Sequence, residues 1–394
     1  MSEPRLTGGL ILILGALTAF APLSIDMYLP SLPTLERAFA APAASVQLTL
    51  SSFLAGIAIG QAFYGPLSDR FGRKPPLYAG LSLYVAASIA CAHAPSVDAM
   101  IVLRFVQAAS GCAGIVIARA IVRDLVEGIE AARAFSTLIL VMGVAPILAP
   151  LLGGYVLQWL GWQAIFWILA LFGLACLLAV ATRVPETRPP AQRTTGGVVS
   201  AIVVYARLIV DRSFIGYALT SALALAGMFV YITTSPHLFI DVFGLSTQAY
   251  GWLFGINAAG FIAVSQLNRL LLGRFGMHRA LAWGVRLNLA AAAALLLVAV
   301  SGVGGLAAIL APLFVAIASL GILMPNAVAA ALAGHAVHAG SASALIGTTQ
   351  FVLGAAAGAI AAGLHSESAL AMAVAIAGSS AAAFATHSLL ARPA

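Results

Sequence analysis

The sequence predicts an all-α polytopic membrane protein, with twelve transmembrane helices arranged as two six-helix halves. Composition carries the first part of that reading. Of 394 residues, 62% are hydrophobic, and only 19 Lys and Arg and 12 Asp and Glu are present, a charged share of 8%. A soluble domain carries about a quarter, and a mean hydropathy of +1.05 leaves too little polar surface to coat a water-soluble globule. The second observation is that apolar residues come in unbroken blocks, such as Leu10 to Pro22 and Ala290 to Val300. A membrane β-barrel would show alternating segments of about ten residues instead. Thirdly, twelve spans of about 20 residues use roughly 240 residues, leaving enough for short loops and one longer connection.

Taken in order, a polar head (Met1 to Thr7) precedes an apolar stretch over 8–30, too long for a signal-peptide core and so expected to stay as the first span. Further apolar runs between polar breaks place spans at 45–66, 75–94, 98–119, 133–157 and 162–183, then at 213–235, 248–270, 279–300, 303–326, 340–363 and 368–390. Alternate connections carry Arg70, Arg73 and Lys74; Arg119, Arg123 and Arg133; Arg183, Arg188, Arg193, Arg207 and Arg212; and Arg269, Arg274 and Arg279, with Arg5 and Arg392 on the same side. The opposite connections carry Arg37 alone, beside Glu36, Asp98, His237, Asp241, His335, His338, His365 and Glu367. Sixteen positive charges thus face one, which predicts that both termini are cytoplasmic.

The longest connection, 184–212, holds Pro185, Pro189, Pro190 and Gly196-Gly197, then VVSAIVVYARLIVDR, a stretch suited to an interfacial amphipathic helix. It divides the chain into a bundle over 1–183, a cytoplasmic linker over 184–212 and a bundle over 213–394. A repeat supports the division. Arg70-Phe71-Gly72 after span 2 recurs as Arg274-Phe275-Gly276 after span 8, and Gly154 maps onto Gly358 at the same offset. Two related halves with a cavity between them are the architecture of many secondary transporters.

The connection after span 2 reads GPLSDRFGRKPPL, Gly65 to Leu77, and resembles the signature loop of the major facilitator superfamily. Gly65 is expected to permit close helix approach and Gly72 a tight turn. Asp69 can accept from a helix N-terminus or from Arg73. With Arg70 these residues are expected to form a conformational latch between the halves on the cytoplasmic side. In the second copy Gly273 replaces the aspartate, so the latch is expected to be asymmetric. A merely topogenic basic loop is the alternative.

Span 4 contains RFVQAASG, which resembles the R-x-x-Q-G element of proton-coupled facilitators, with Ala108 in place of the glycine. An intramembrane arginine is costly and faces a partner or a cavity, unless Arg104 snorkels to the headgroups. Span 1 ends in SIDMYLPSLP, where Asp26 is the only acidic residue in the interior of a span and hence the candidate proton carrier. Asp26 lies about 6 Å from Pro30 and Arg104 about 10 Å from Val97 along their helices. Both are expected in the outer half, with Arg104 near enough to couple the charge of Asp26 to conformation; a vestibule aspartate is the alternative. Span 5 carries APILAPLLGG, whose Pro146, Pro150, Gly153 and Gly154 resemble the antiporter motif G-P-x-x-G-G, with Ala149 at its first glycine. DMYLPSLP, RAIVRDL, GWQAIFW, VFGLS, MPNA and GSASALIGTTQF extend a resemblance to the bicyclomycin/chloramphenicol-resistance (Bcr/CflA) drug/proton antiporters over the whole chain.

That resemblance implies the major facilitator fold and a proton-coupled multidrug exporter of the inner membrane, working by alternating access. A facilitator for one metabolite stays open as the alternative. Cavity walls need apolar and aromatic groups with sparse polar ones; the candidates are Tyr28, Gln107, Phe229, Tyr231, Asn257, Gln266, Asn326 and Gln350, each polar one also able to serve as an interhelical hydrogen bonder. No enzyme chemistry is expected, because acidic and His groups are scattered. No Walker A pattern is present, so the energy source should be an ion gradient. Cys91, Cys112 and Cys176 lack metal or disulfide spacing and read as packing residues. The histidines, His93, His278 and His387 with those above, form no HExxH. No cofactor and no metal are expected. The expected partners are protons, small-molecule drugs and the lipid bilayer, with no nucleic acid, since the basic residues are dispersed, and with the chain acting as a monomer.

Overall fold

The computed structural model describes residues 6–126, 128–190, 193, 197–333, 339–364 and 368–391. Arg5, Gly196, His335, His338, His365, Glu367 and Arg392 lie outside the described residues, as do the side chains of Arg133 and Arg269. Fifteen α-helices follow in order among the described residues: α1 (Gly8–Thr18), α2 (Phe20–Asp26), α3 (Leu32–Phe39), α4 (Ala43–Phe71), α5 (Lys74–Ala92), α6 (Val97–Leu125), α7 (Gly128–Leu160), α8 (Trp162–Arg183), α9 (Gly197–Val210), α10 (Arg212–Pro236), α11 (Thr247–Phe275), α12 (Met277–Ser301), α13 (Gly305–Leu332), α14 (Ala339–Gly363) and α15 (Leu370–Leu389). Every predicted span falls on a helix. Among the described residues nine helices are long and apolar enough to cross a bilayer, ten if the bent pair at the N-terminus counts as one span. The predicted spans 133–157 and 248–270 fall on α7 and α11, of 33 and 29 residues. Leu12, Leu171, Leu297 and Ile360 point outward and exposed, as a lipid-facing surface requires.

The first span departs from the straight helix expected over 8–30. It bends by 43° between α1 and α2, passes through a tight turn at Leu29–Ser31 and continues as α3 to Phe39. Pro30 and Pro33 do not stop the chain because each sits in the first turn of the segment that follows, where the missing N–H has no intrahelical role.

Helices α1–α8 pack into one group and α10–α15 into another. In the first, α4 and α5 pack on α6, α5 on α8, and α1 and α2 on α7. In the second, α11 and α12 pack on α13, α12 on α15, and α10 on α14. The same plan is therefore built twice, and the sequence repeat marks its register. Helices α4 and α11 are both 29 residues long and end at the repeated Phe71 and Phe275. Gly72 and Gly276 turn the chain with φ of 93° and 75°, a region closed to most side chains. Arg70 lies over the Phe71 ring at 5.3 Å, and Arg274 over Phe275 at 5.7 Å. Gly65, expected to bring helices close, instead faces open space.

Two seams join the groups, α4 with α14 and α7 with α11, again related by the repeat. Helix α9 lies against α4, α10 and α14, and defines an α9 face; the opposite, far face carries the α3–α4 and α7–α8 turns. Contacts run along both seams. A Cβ on Gly154 would meet the Thr247 carbonyl at 3.2 Å, and one on Gly358 would meet Ser51 Oγ at 3.1 Å. Gln248 Nε2 donates to Gln158 Oε1 at 2.5 Å, and Thr348 Oγ1 to the Ala58 carbonyl at 3.4 Å. Both seams are lined by small residues, which let backbones approach where lipid offers no hydrophobic drive.

The signature loop forms a cluster of charges at the α9 face. Arg73 Nε and Nη2 donate to Asp124 at 2.8 and 3.0 Å, while its Nη1 donates to Asp69 at 2.7 Å and Ser68 at 2.8 Å. Glu186 accepts from the backbone N–H of Arg73 at 2.9 Å and Lys74 at 3.1 Å, capping α5, and Thr187 donates to Asp124 at 2.7 Å. Burial works to lower the Arg73 pKa, but the bonds to Asp124 and Asp69 more than offset it and hold the guanidinium above its ordinary value. The expected latch would join the halves in one conformation and release them in the other, and in the conformation seen here the cluster does not join them. Asp69 and Arg73 do pair, yet their cluster ties the α4–α5 turn to α6 and to the start of the linker, all on the first group's side.

The two carboxylates should not count equally. Asp124 is 15% exposed and Asp69 43%, so Asp124→Asn strands a buried guanidinium and is expected to cost about 3 kcal/mol, against under about 1 kcal/mol for Asp69→Asn. Thermal unfolding of the detergent-solubilised variants checks this. Equal falls in midpoint would overturn the ordering.

Candidate functional site

An arginine within an apolar helix must find partners for its donors, and α6 presents Arg104 to four neighbouring elements. Arg104 is fully buried. Its Nη2 donates to the Ser24 carbonyl of α2 at 2.9 Å, and its Nη1 to Gln107 Oε1, one turn along α6, at 2.6 Å. The guanidinium lies 4.1 Å from the ring centre of Phe53, 4.5 Å from Tyr28 and 5.8 Å from Phe166, a cage of cation–π contacts. Gln107 donates in turn to Ser88 Oγ at 2.8 Å, Ser24 Oγ pairs with Tyr84 Oη at 2.7 Å, and Tyr28 Oη pairs with Thr49 Oγ1 at 2.9 Å. Snorkelling is therefore excluded. Arg104 Nε is the one donor of this guanidinium left without a hydrogen-bond partner among the described residues.

Asp26 does not join this cage, contrary to expectation. Ser24 and Tyr28 stand four residues apart on one face of the turn, so residue 26 projects to the other side. There Asp26 is 4% exposed, and its carboxylate has no hydrogen bond or ion pair among the described residues. The turn that follows it, Leu29–Ser31, packs on α10 and α11, the helices that carry Tyr231 and Tyr250, which places Asp26 beside the contact between the two groups. Asn257 Nδ2 donates to Tyr231 Oη at 3.0 Å, Ser235 Oγ pairs with Tyr250 Oη at 3.0 Å, and Phe254 stacks on Tyr231 at 5.5 Å. One buried carboxylate thus faces a polar, aromatic wall from the other group.

The span 5 motif borders the same place. Pro150 is buried and Pro146 half-buried inside α7, and Gly153 lies so close to the Met27 carbonyl that a Cβ would collide with it. The chain immediately after Asp26 therefore rests on α7 because position 153 has no side chain. Gly154 lies against α11, so the glycine pair contacts both groups at once.

The remaining cavity candidates divide. Tyr231 and Asn257 belong to the wall facing Asp26, and Phe229 packs on Phe351 at 5.5 Å. Tyr28 is taken up by the Arg104 cage, and Gln107, bonded to Arg104 and Ser88, also lines a small pocket with Phe20, Phe53, Tyr84 and Gly111. Asn326 donates to Asn268 and to the Ile322 carbonyl, both at 2.8 Å, inside the second group. Gln350 donates to Ser221 at 3.2 Å, and Gln266 is exposed on α11. Tyr84, Ser88, Phe53 and Phe166, with Asp124 and Glu186 at the α9 face, were not singled out by sequence. Phe166 and Asp124 lie in the stretches GWQAIFW and RAIVRDL, but nothing local marks which residue of each reaches the arginine.

Comparison with known proteins agrees with this architecture. The chain is 35% identical over 350 residues to an uncharacterized MFS-type transporter, YdgK, of Bacillus subtilis (strain 168), covering 88% of this chain and 86% of that protein. It is 30% identical over 376 residues to a bicyclomycin resistance protein homolog of Haemophilus influenzae, covering 94% and 93%, and 32% identical over 305 residues to a chloramphenicol resistance protein of Pseudomonas aeruginosa, covering 77% and 72%. Among solved structures, a D-xylose-proton symporter superposes with a TM-score of 0.76 at 15% identity, over 98% of both chains. A peptide transporter in complex with sulfate does so with 0.78 at 14% identity, over 99% of this chain and 96% of that one. These neighbours are transporters, not enzymes. Residues 14–359 match the profile of the Major Facilitator Superfamily, and the chain belongs to that family of multi-pass membrane transporters.

Proposed function

We propose that this transporter is a proton-coupled multidrug exporter of the inner membrane, which moves amphipathic small molecules outward by rocking two six-helix bundles, 1–183 and 213–394, joined by a linker over 184–212. The observation that carries the reading is Asp26, a buried carboxylate without a partner, held at the contact between the bundles. The excess of Lys and Arg on the α9 face supports a cytoplasmic reading for that face and for both termini. The relatives named for bicyclomycin and chloramphenicol resistance support drugs as the cargo.

The coupling follows from the cost of charge in a dry seam. An ionised carboxylate closed away from water is expensive, so proton loading and closure over Asp26 favour each other, and proton loss favours reopening or a cationic cargo. Arg104 acts as a positioning residue. Its hold on Ser24 and Tyr28 fixes the turn that carries Asp26 beside the second bundle, so a change at the carboxylate is transmitted to the α6 cage. No covalent step is involved.

Drug-evoked proton movement tests this in acid-loaded inverted vesicles, using chloramphenicol-like, bicyclomycin-like and cationic dye compounds. The wild type is expected to release protons on drug addition, and Asp26→Asn to lose that release at normal expression. Full active efflux by Asp26→Asn would remove this residue from the mechanism. No proton movement with any compound would favour a facilitator for one metabolite. Arg104→Lys keeps the charge but not the fork that spans Ser24 and Gln107; it is expected to slow efflux about tenfold or more at unchanged yield. An unchanged rate would reduce the cage to packing.

A further inference from the structure

At the far face a second group of titratable side chains joins the bundles, away from Asp26 and unused by the transport reading. Glu36 comes from α3 of the first group. His237 and Asp241 come from the turn His237–Val242 that extends α10, where the backbone winds more widely than an α-helix and Phe243 N–H reaches back to the Leu238 carbonyl. His237 Nδ1 lies 3.1 Å from Asp241 Oδ2 and 3.8 Å from Glu36 Oε1. All three ligand-type atoms fall within 4.8 Å of one another. Glu36 Oε1 is buried and has no hydrogen bond among the described residues, so one carboxylate oxygen is aimed at the cluster with its acceptor capacity unused.

We propose that Glu36, His237 and Asp241 form a zinc-type transition-metal site that staples the two bundles together at the far face. In a tetrahedral zinc site with bonds of about 2.0 to 2.2 Å, neighbouring ligand atoms stand about 3.4 Å apart. The two distances from His237 Nδ1, 3.1 and 3.8 Å, bracket that edge. The third edge, from Glu36 to Asp241, is within 4.8 Å, so side-chain rotation of the two carboxylates would seat an ion. One imidazole and two carboxylates leave the fourth position to water, and the imidazole favours zinc-like ions over calcium or magnesium. Two acids against Arg37, the neighbouring positive side chain whose Nε is turned to the Pro33 carbonyl, leave the cluster net negative when the imidazole is neutral. No local spacing announces such a site, because Glu36 stands some 200 residues from His237 and Asp241.

Resting on the alternating-access reading, an ion at this site would hold the far face shut and inhibit transport from that side. The metal site itself can be tested without transport. Untagged protein in detergent is titrated with zinc chloride alone, by competition with a chelating dye and by thermal unfolding. The wild type is expected to bind one zinc per chain and to unfold at a higher temperature with zinc. His237→Ala and Glu36→Gln are each expected to weaken binding at least about tenfold and to abolish the thermal shift. No zinc binding by wild type, or equal binding by His237→Ala, would overturn the site. Loss with His237→Ala but not with Glu36→Gln would overturn the staple, leaving a metal held by one bundle alone. These readouts stand even if the cargo is not a drug and no proton moves.

Discussion

A guanidinium cannot rest unpartnered in hydrocarbon, and the first bundle is built around meeting that requirement for Arg104. Its donors and its flat face draw in α2 through Ser24, the turn after α2 through Tyr28, α4 through Phe53 and α8 through Phe166, so four elements converge on one side chain of α6. The same requirement shapes the chain next to it. With residues 24 and 28 committed to the arginine, helical geometry leaves residue 26 on the opposite face, and an aspartate there meets the second bundle. The positive and negative intramembrane charges are thus kept apart by the turn that serves one of them.

The other strong charge cluster obeys a different logic. Arg73, Asp69, Asp124 and Glu186 are closely bonded, yet they fasten the α4–α5 turn to α6 and the linker rather than one bundle to the other. The second copy of the loop has Gly273 where the first has Asp69, so it lacks that carboxylate. The linker is therefore anchored on the first bundle, and relative motion of the bundles need not break the cluster. Rigidity is concentrated within the bundle, and the seams are left to small residues and a few long polar contacts.

Much of this was legible in the sequence. Each apolar block fell on a helix, and the Arg-Phe-Gly repeat marked the equivalent ends of α4 and α11, although both helices run to 29 residues, longer than the spans 45–66 and 248–270. Asp26 and Arg104 stood out because intramembrane charge is rare enough to need a reason. What the sequence hid was tertiary direction. Asp26 and Arg104 were placed at similar depth, which is one coordinate of three, and the missing one set them on opposite faces. Polar residues such as Gln107 and Asn326 could line a cavity or satisfy each other, and only the partners decide; both proved to be satisfied internally. Gly65 had the composition of a contact glycine but not the position of one. The bend at Ala19 does have a local cause in Pro22, which has no N–H to donate to the Thr18 carbonyl four residues back.

The contrast between bundle and seam bears on how such a molecule can move. Opening the far face would break the Gln158–Gln248 and Glu36–His237 contacts and part the glycine-lined backbones at Gly154 and Gly358. A neutral hydrogen bond is worth about 1 kcal/mol net, and in lipid the parting of apolar helix faces exposes nothing to water on the outer surface. The gap between closed and open states is then a few kcal/mol, the range in which a ligand or an ion can shift a population. A tenfold difference in the concentration of a transported ion supplies 1.4 kcal/mol, roughly. Had the cluster at Arg73 spanned the bundles instead, breaking its buried bonds would have cost about 3 kcal/mol or more in one step, and a single ion would not have moved it. Keeping the Arg73 cluster within one bundle leaves Asp26 as the buried charge beside the seam, where its cost bears on whether the bundles part.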